Sequence, residues 1–145
     1  MKIWIDADGC PVVKIATSIA KENGIEVTIV KNHAVVIESD YAEVVTVDLS
    51  RDAADYYIVN SLSKGDLVIT QDYGLAAMVL AKGGRCINQN GKTIDAGNID
   101  FILDSRHHGR RARMQNHRGP KHKKRTAEDD LIFEQAFGKL LSEGL

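Results

Sequence analysis

The sequence contains very little cysteine: only Cys10 and Cys86 occur among its 145 residues. Two cysteines are too few for a disulfide framework, so both are expected to be reduced. No run of about 18 apolar residues occurs, which excludes a membrane-spanning helix. The N-terminal stretch has neither the apolar core nor the small-residue cleavage site of a signal peptide. We therefore expect a cytoplasmic protein with no membrane partner.

The chain also lacks a large net charge, but its charges are unevenly distributed. The formal net charge is −1, from 19 Lys and Arg against 20 Asp and Glu. Nine of the basic residues lie between Ser105 and Arg125, a stretch without Asp or Glu, which leaves ten basic against 20 acidic residues elsewhere. An acidic body with one basic segment indicates a polyanionic partner, or a segment that folds back on the body.

Hydrophobic periodicity predicts an α/β fold, because short β-branched runs alternate with helical spacing as far as about residue 95. Such alternation predicts a three-layer sandwich with a mainly parallel sheet of about five strands and helices on both faces. Predicted strands cover residues 3–5, 25–30, 43–47, 67–70 and 85–89, with a return strand at 92–94 after the Asn90-Gly91 turn. Predicted helices cover residues 12–23, 51–63 (capped by Ser50), 75–81 and 99–103.

The C-terminal third of the predicted single domain, 1–145, has a different character. Residues 105–125 form the basic segment and are expected to be the most mobile part of the chain. Thr126 and Asp129 have the spacing of a capping box and predict a last helix at 126–143. This helix is expected to dock on the body through its apolar side, formed by Leu131, Phe133, Phe137, Leu140 and Leu141.

Acidic residues gather where the predicted strands end. Asp6 and Asp8 end the first strand, Asp72 ends the fourth, and Asp52 and Asp55 open the helix after the third. The carboxyl ends of parallel strands share one edge of a sheet, so these carboxylates are expected to converge. Close carboxylates repel one another, and a divalent cation such as Mg²⁺ or Mn²⁺ removes that cost. Metal-assisted hydrolysis of a phosphodiester uses such a site.

The same aspartates also have structural interpretations. Asp72 is a candidate cap of the helix that follows it, and Asp52 and Asp55 suit a first helical turn because they complement the helix dipole. Asp66 precedes the fourth strand at the opposite edge of the sheet and is interpreted as a turn residue.

Four motifs resemble those of the YaiI/YqxD family of uncharacterised bacterial proteins, over nearly the whole chain. They are Asp6-Ala-Asp-Gly-Cys-Pro-Val12, Asn32-His33, Asp52-Ala-Ala-Asp55 and Gly65-Asp-Leu-Val-Ile-Thr-Gln-Asp72. The family is similar in plan to PIN-like nuclease domains, an analogy at the level of the fold. The resemblance implies a PIN-like domain in which Asp6, Asp55 and Asp72 are catalytic, Asp8 joins them as a metal ligand, and Asp52, Asn32 and His33 are supporting. The chain departs from PIN-like nucleases just after Asp72, where Tyr73-Gly74-Leu75 stands in place of a further acidic residue.

The basic segment predicts contact with a nucleic acid, with RNA expected, because Lys and Arg neutralise phosphates. It contains no aromatic residue, so base stacking is not expected from it. The alternative is a solvated loop, or a loop folded over the acidic edge. The predicted phosphate contacts are Arg106, Arg110, Arg111, Arg113, Arg118, Lys121, Lys123, Lys124 and Arg125.

Three functions are compatible with these patterns. The leading hypothesis is a Mg²⁺- or Mn²⁺-dependent nuclease that acts on RNA. The second is a phosphatase of the haloacid-dehalogenase type with Asp6 as nucleophile and Asp8 as general acid and base. The third is a nucleic-acid-binding protein without catalytic activity. The sequence leaves the oligomeric state open.

Overall fold

A six-stranded sheet forms the centre of the structure, a computed structural model that describes residues 1–50, 52–104 and 124–144. The order of the strands is β3-β2-β1-β4-β5-β6, and all neighbours are parallel except β5 and β6. The α/β class and the mainly parallel sheet are therefore confirmed. The strands are β1 (Lys2–Asp6), β2 (Glu26–Asn32), β3 (Glu43–Val47), β4 (Leu67–Ile69), β5 (Arg85–Ile87) and β6 (Thr93–Ile94).

Helices cover both faces of the sheet and complete the three layers. They are α1 (Val13–Glu22), α2 (Ala53–Ser61), α3 (Tyr73–Ala81), α4 (99–104) and α5 (Ala127–Gly144). Side chains alternate along a strand, so Ile3 and Ile5 pack in the cluster with α1 and α5, while Trp4 packs in the cluster with α2, α3 and α4. Burial on both faces explains why β4 is apolar throughout its length and β1 is apolar from Ile3 to Ile5.

Helix α5 packs on the body through the buried side chains of Phe133, Phe137 and Leu141. Leu131 was assigned to the same side, but it is 50% exposed. The helix also closes over the turn between β5 and β6. Gly91 has a φ of +83°, and a Cβ atom added to it would lie 2.9 Å from the Cβ of Ala136. The turn therefore needs glycine both for its backbone conformation and for the close approach of α5.

Two local predictions need correction. Helix α2 is shorter than the predicted 51–63, and Ser50 does not cap it. The helix begins at Ala53, with Asp52 at the N-cap position and no side-chain capping hydrogen bond. Asp66 does lie at the edge opposite the acidic cluster, but it is more than a turn residue. It is 6% exposed and accepts hydrogen bonds from the backbone N–H groups of Lys2 and Ser63 and from Nε1 of Trp4.

The connection from β2 to β3 is unusual for a parallel pair. Residues 33–42 form the whole crossover and contain no helix, whereas parallel strands are usually joined through one. Ile37 and Tyr41 attach the crossover to the body, because they pack against the hydrophobic cluster formed with α1 and α5. The hydroxyl of Tyr41 also donates a hydrogen bond to the carbonyl oxygen of Ile25 at 2.6 Å.

The order of the strands also locates a crevice. From β1 the chain proceeds outward through β2 and β3, then returns to the other side of β1 to form β4 and β5. Open α/β sheets bind ligands at the carboxyl end of such a switch point. In this protein that point lies between the ends of β1 and β4.

Candidate active site

An acidic cleft of about 450 Å³ lies at this switch point. It is lined by Asp6 at the end of β1, Asp8 just after β1, Asn32 at the end of β2, Asp55 on α2 and Asp72 after β4. These five residues were all predicted as site residues, and the fold brings them together from four parts of the chain.

Two predicted supporting residues lie elsewhere. Asp52 and His33 are both exposed, and neither lines the acidic cleft. The cleft also contains polar residues that were not predicted: Lys31, Asp48, Ser50 and Gln71. Lys31 lies near the carboxyl end of β2, and Asp48 and Gln71 follow β3 and β4 closely. A search for polar residues at the carboxyl ends of strands, which selected Asp6 and Asp72, would therefore also have found Lys31, Asp48 and Gln71.

Asp6 is the most deeply buried carboxylate of the cleft, at 7% exposure. Burial raises its pKa, the hydroxyl of Thr70 opposes this by donating a hydrogen bond, and the charges of Asp72 and Asp8 raise the pKa further. The Thr70 Oγ1 to Asp6 Oδ2 distance is 2.8 Å. Asp6 therefore has a fixed orientation but an unfavourable electrostatic environment.

Thr70 connects Asp6 to Asp72. Its Oγ1 also accepts a hydrogen bond from the backbone N–H of Asp72 at 2.9 Å. Asp72 caps α3, since its Oδ1 accepts from the backbone N–H groups of Gly74 at 2.9 Å and Leu75 at 3.2 Å. The structural interpretation of Asp72 is thus confirmed, and the cap holds the side chain at the edge of the cleft.

Asp55 has the most perturbed ionisation in the cleft. Burial, together with the charges of Asp72, Asp6 and Asp52 and a side-chain hydrogen bond to Asp72, raises the pKa of Asp55 to about 7. Asp55 is therefore about half protonated near neutral pH.

No cation neutralises these carboxylates within the part of the chain that the structure describes. The ion pairs in that part are Lys21–Asp40, Arg125–Asp130 and Lys139–Glu143. Lys31 lines the cleft, but its Nζ donates to the carbonyl oxygen of Asn32 at 3.4 Å.

Gln71 links the two loops that form the cleft. Its Nε2 donates to the carbonyl oxygens of Gly9 at 2.6 Å and Asp8 at 3.5 Å. Gly9 has a φ of +64°, which permits the tight turn from β1 toward α1. The position of Asp8 is thereby connected to the strand end that carries Asp72.

The donor atoms of the cleft are suitable for a hard cation. They are carboxylate and amide oxygens without Cys or His, the set that Mg²⁺ and Mn²⁺ prefer and zinc does not. Across residues 1–50, 52–104 and 124–144, however, no three His, Cys, Asp or Glu side chains are arranged to hold a metal ion as they stand. The Mg²⁺ or Mn²⁺ cofactor stays a prediction.

Most of the predicted nucleic-acid contacts lie outside the described residues: Arg106, Arg110, Arg111, Arg113, Arg118, Lys121 and Lys123. Lys124 is exposed. Arg125 is engaged within the fold. Its guanidinium forms an ion pair with Asp130 at 2.6 Å and donates to the carbonyl oxygen of Gln89 at 2.8 Å and to Asn90 Oδ1 at 3.3 Å. It therefore ties the β5–β6 turn to the first turn of α5.

Among the described helices, none combines the length and the apolar character needed to cross a membrane. The predicted cytoplasmic location is a separate matter and stays a prediction.

The fold and the cleft define an α/β protein with a mainly parallel sheet and an acidic cleft at its switch point. The chain belongs to the YaiI/YqxD family, whose model, described as uncharacterised, matches residues 4–143. It is similar to the UPF0178 protein of Alkaliphilus oremlandii, with 49% identity over 100% of this chain and 94% of that protein. It is also similar to the UPF0178 protein of Exiguobacterium sibiricum, with 46% identity over 99% of this chain and 98% of that protein.

Among solved structures, the chain matches the crystal structure of Rae1 (YacP) from Bacillus subtilis (W164L mutant). The match covers 99% of this chain and 96% of that one, with 15% identity and a TM-score of 0.45. A likeness of this strength assigns neither a fold nor an activity.

Proposed function

We propose that the protein is a metal-dependent nuclease that hydrolyses phosphodiester bonds of RNA at the acidic cleft. One observation supports this above the others. Asp6, Asp55 and Asp72, which are far apart along the chain, line a single cleft and form no ion pair with any described residue.

The electrostatics of the cleft favour a cation. Burial raises the pKa of Asp55, and the carboxylates of Asp72 and Asp6 raise it further, so holding these charges together in the cleft costs folding free energy. A divalent cation would offset this cost and displace the proton that Asp55 binds near neutral pH. Asp6, Asp8, Asp55 and Asp72 would be its ligands. When bound, such a cation would neutralise the scissile phosphate and lower the pKa of the attacking water.

The chain itself would orient these groups. Thr70 restrains Asp6, the α3 cap restrains Asp72, and Gln71 restrains the loop that carries Asp8. Lys31 adds a positive charge to the lining of the cleft, where it would attract a phosphate group.

The phosphatase alternative receives less support from the same geometry. A nucleophilic aspartate needs an accessible oxygen that can reach phosphorus. Asp6 is 7% exposed, and its Oδ2 accepts the hydrogen bond from Thr70. The non-catalytic alternative is decided by the experiment below.

The test is cleavage of 5′-labelled single-stranded RNA and DNA with Mn²⁺, with Mg²⁺ and with EDTA. We expect cleavage only with a divalent cation, and a loss of about 100-fold or more for Asp6→Asn and Asp72→Asn. Asp100→Asn is the matched control, because Asp100 is an exposed residue of α4 that does not line the cleft. Circular dichroism verifies that each variant is folded.

Two outcomes would refute the proposal. One is a folded wild-type protein that cleaves neither nucleic acid with either metal. The other is a cleavage rate of Asp6→Asn equal to that of Asp100→Asn. Metal-independent binding of RNA without cleavage would favour the non-catalytic alternative.

A further inference from the structure

A second and larger cleft lies between α1 and the β2–β3 crossover. Its volume is about 1080 Å³, slightly above the range of small-molecule sites. It exists because residues 33–42 cross over without a helix. A helix at this position would fill the layer beside α1, whereas the irregular crossover leaves a groove. We call this groove the crossover cleft.

The crossover cleft has two chemically different walls. Lys14, Thr17 and Ser18 line it from α1, where their i, i+3 and i+4 spacing places them on one side of the helix. Val35, Val36 and Ile37 line it from the crossover. Val36 is 87% exposed, an unusual degree for a β-branched apolar residue held beside a groove.

The crossover cleft adjoins the acidic cleft at the β1–α1 loop. Gly9 lines both, and its neighbour Asp8 lines the acidic cleft. Adjacent Cα atoms are about 3.8 Å apart, so a ligand that spans the two clefts has only the β1–α1 loop to cross. Gln71 holds this loop through its hydrogen bond to the carbonyl oxygen of Gly9.

The charges of the crossover cleft leave one cation available. Asp40 at its rim forms an ion pair with Lys21 at 3.7 Å. Lys14 forms no ion pair with any residue in the described ranges, and Glu38 is the other charged residue of the lining. An apolar wall that faces a helix with a free ammonium group matches the flat ring face of a nucleobase and the phosphate attached to its sugar.

We infer that the crossover cleft binds a nucleotide of a single-stranded nucleic acid next to the bond that would be cleaved. The base contacts Val35, Val36 and Ile37, and the phosphate lies near Lys14. The location of the scissile bond rests on the proposed nuclease function, whereas binding itself requires neither metal nor cleavage.

The test measures binding of a fluorescein-labelled single-stranded RNA by anisotropy, in EDTA so that no cleavage interferes. Val36→Asp should weaken binding about ten-fold, because it places a charge against the base. Lys14→Ala should lower the slope of log K against log salt by about 0.7, the value for one phosphate contact on a single strand. The matched controls are Leu131→Asp and Lys139→Ala on α5, both exposed and outside either cleft.

The inference is overturned if wild-type protein does not bind the RNA, or if both cleft variants bind like their controls. The two proposals fail separately. Binding that depends on Val36 and Lys14 without any cleavage in Mn²⁺ refutes the nuclease function and supports the nucleotide site. Cleavage that is unchanged in KM by Val36→Asp and Lys14→Ala refutes the nucleotide site alone.

Discussion

Replacing Asp55 by Asn should raise the free energy of unfolding of the metal-free protein near neutral pH and above. Burial and the neighbouring carboxylates raise the pKa of Asp55 from 3.8 to about 7. Such a carboxyl stabilises the folded state fully below pH 3.8, and this contribution is lost as the pH rises through about 7. Asparagine keeps the size of the side chain but cannot ionise, so the variant avoids the loss.

The expected magnitude follows from the two pKa values. Without screening, their separation corresponds to about 4 kcal/mol, at about 1.4 kcal/mol for each pH unit. Asp55 is only partly buried, and water in the cleft screens its charge. We therefore expect the wild-type protein to lose about 2 kcal/mol relative to Asp55→Asn between acidic and mildly alkaline pH.

Urea unfolding in EDTA over a series of pH values from about 4 to 8 measures this difference. The wild-type curve should fall with pH, and the Asp55→Asn curve should stay nearly level. Asp100→Asn removes the same charge from an exposed site outside the cleft and should follow the wild type. If Asp55→Asn loses stability in parallel with the wild type, the carboxylates do not repel one another as described.

Three further predictions concern the same structure. Mn²⁺ at 100 times its Kd should raise the free energy of unfolding by about 2.7 kcal/mol, and Asp72→Asn should reduce this gain, as thermal shift measures. Thr70→Val should cost about 1–3 kcal/mol in urea unfolding, because it leaves Asp6 and the Asp72 N–H without their shared partner, whereas Thr70→Ser should cost less. Gly91→Ala should lower Tm through its φ of +83° and its contact with α5, equivalent to about 1–3 kcal/mol, whereas Gly138→Ala, with no atom within 4 Å of the added Cβ, should raise it.

The sheet was predictable because its signals are local. Apolar runs rich in β-branched residues and ended by turn residues marked β1, β2 and β4, and Asn90-Gly91 marked the β5–β6 hairpin. The parallel edge then followed from topology, so Asp6 and Asp72 could be assigned to one cleft before any distance was known. Each of these inferences requires only neighbours in sequence and the geometry of a parallel sheet.

The predictions that the structure corrects depend on where a helix begins or on contacts between segments far apart in the sequence. Asp52 and Asp55 were both predicted to lie in the first turn of the helix after the third strand, but α2 begins at Ala53 and leaves Asp52 outside the helix. Arg125 was assigned to a phosphate, yet it pairs with Asp130 and reaches the β5–β6 turn. That contact joins segments 35 residues apart, and no local pattern indicates it.

Asp66 and Asp6 show that burial alone does not explain the acidic cleft. They flank the pairing of β1 with β4 at opposite edges, and their exposures are 6% and 7%. Asp66 accepts hydrogen bonds from two backbone N–H groups and an indole N–H, as expected for a buried carboxylate that serves the fold. Asp6 is bonded by Thr70 and the backbone of Asp8, but it also faces the charges of Asp72 and Asp8. The amino edge compensates its buried charge with hydrogen bonds, whereas at the carboxyl edge the charges of Asp72 and Asp8 add to the burial that raises the pKa of Asp6.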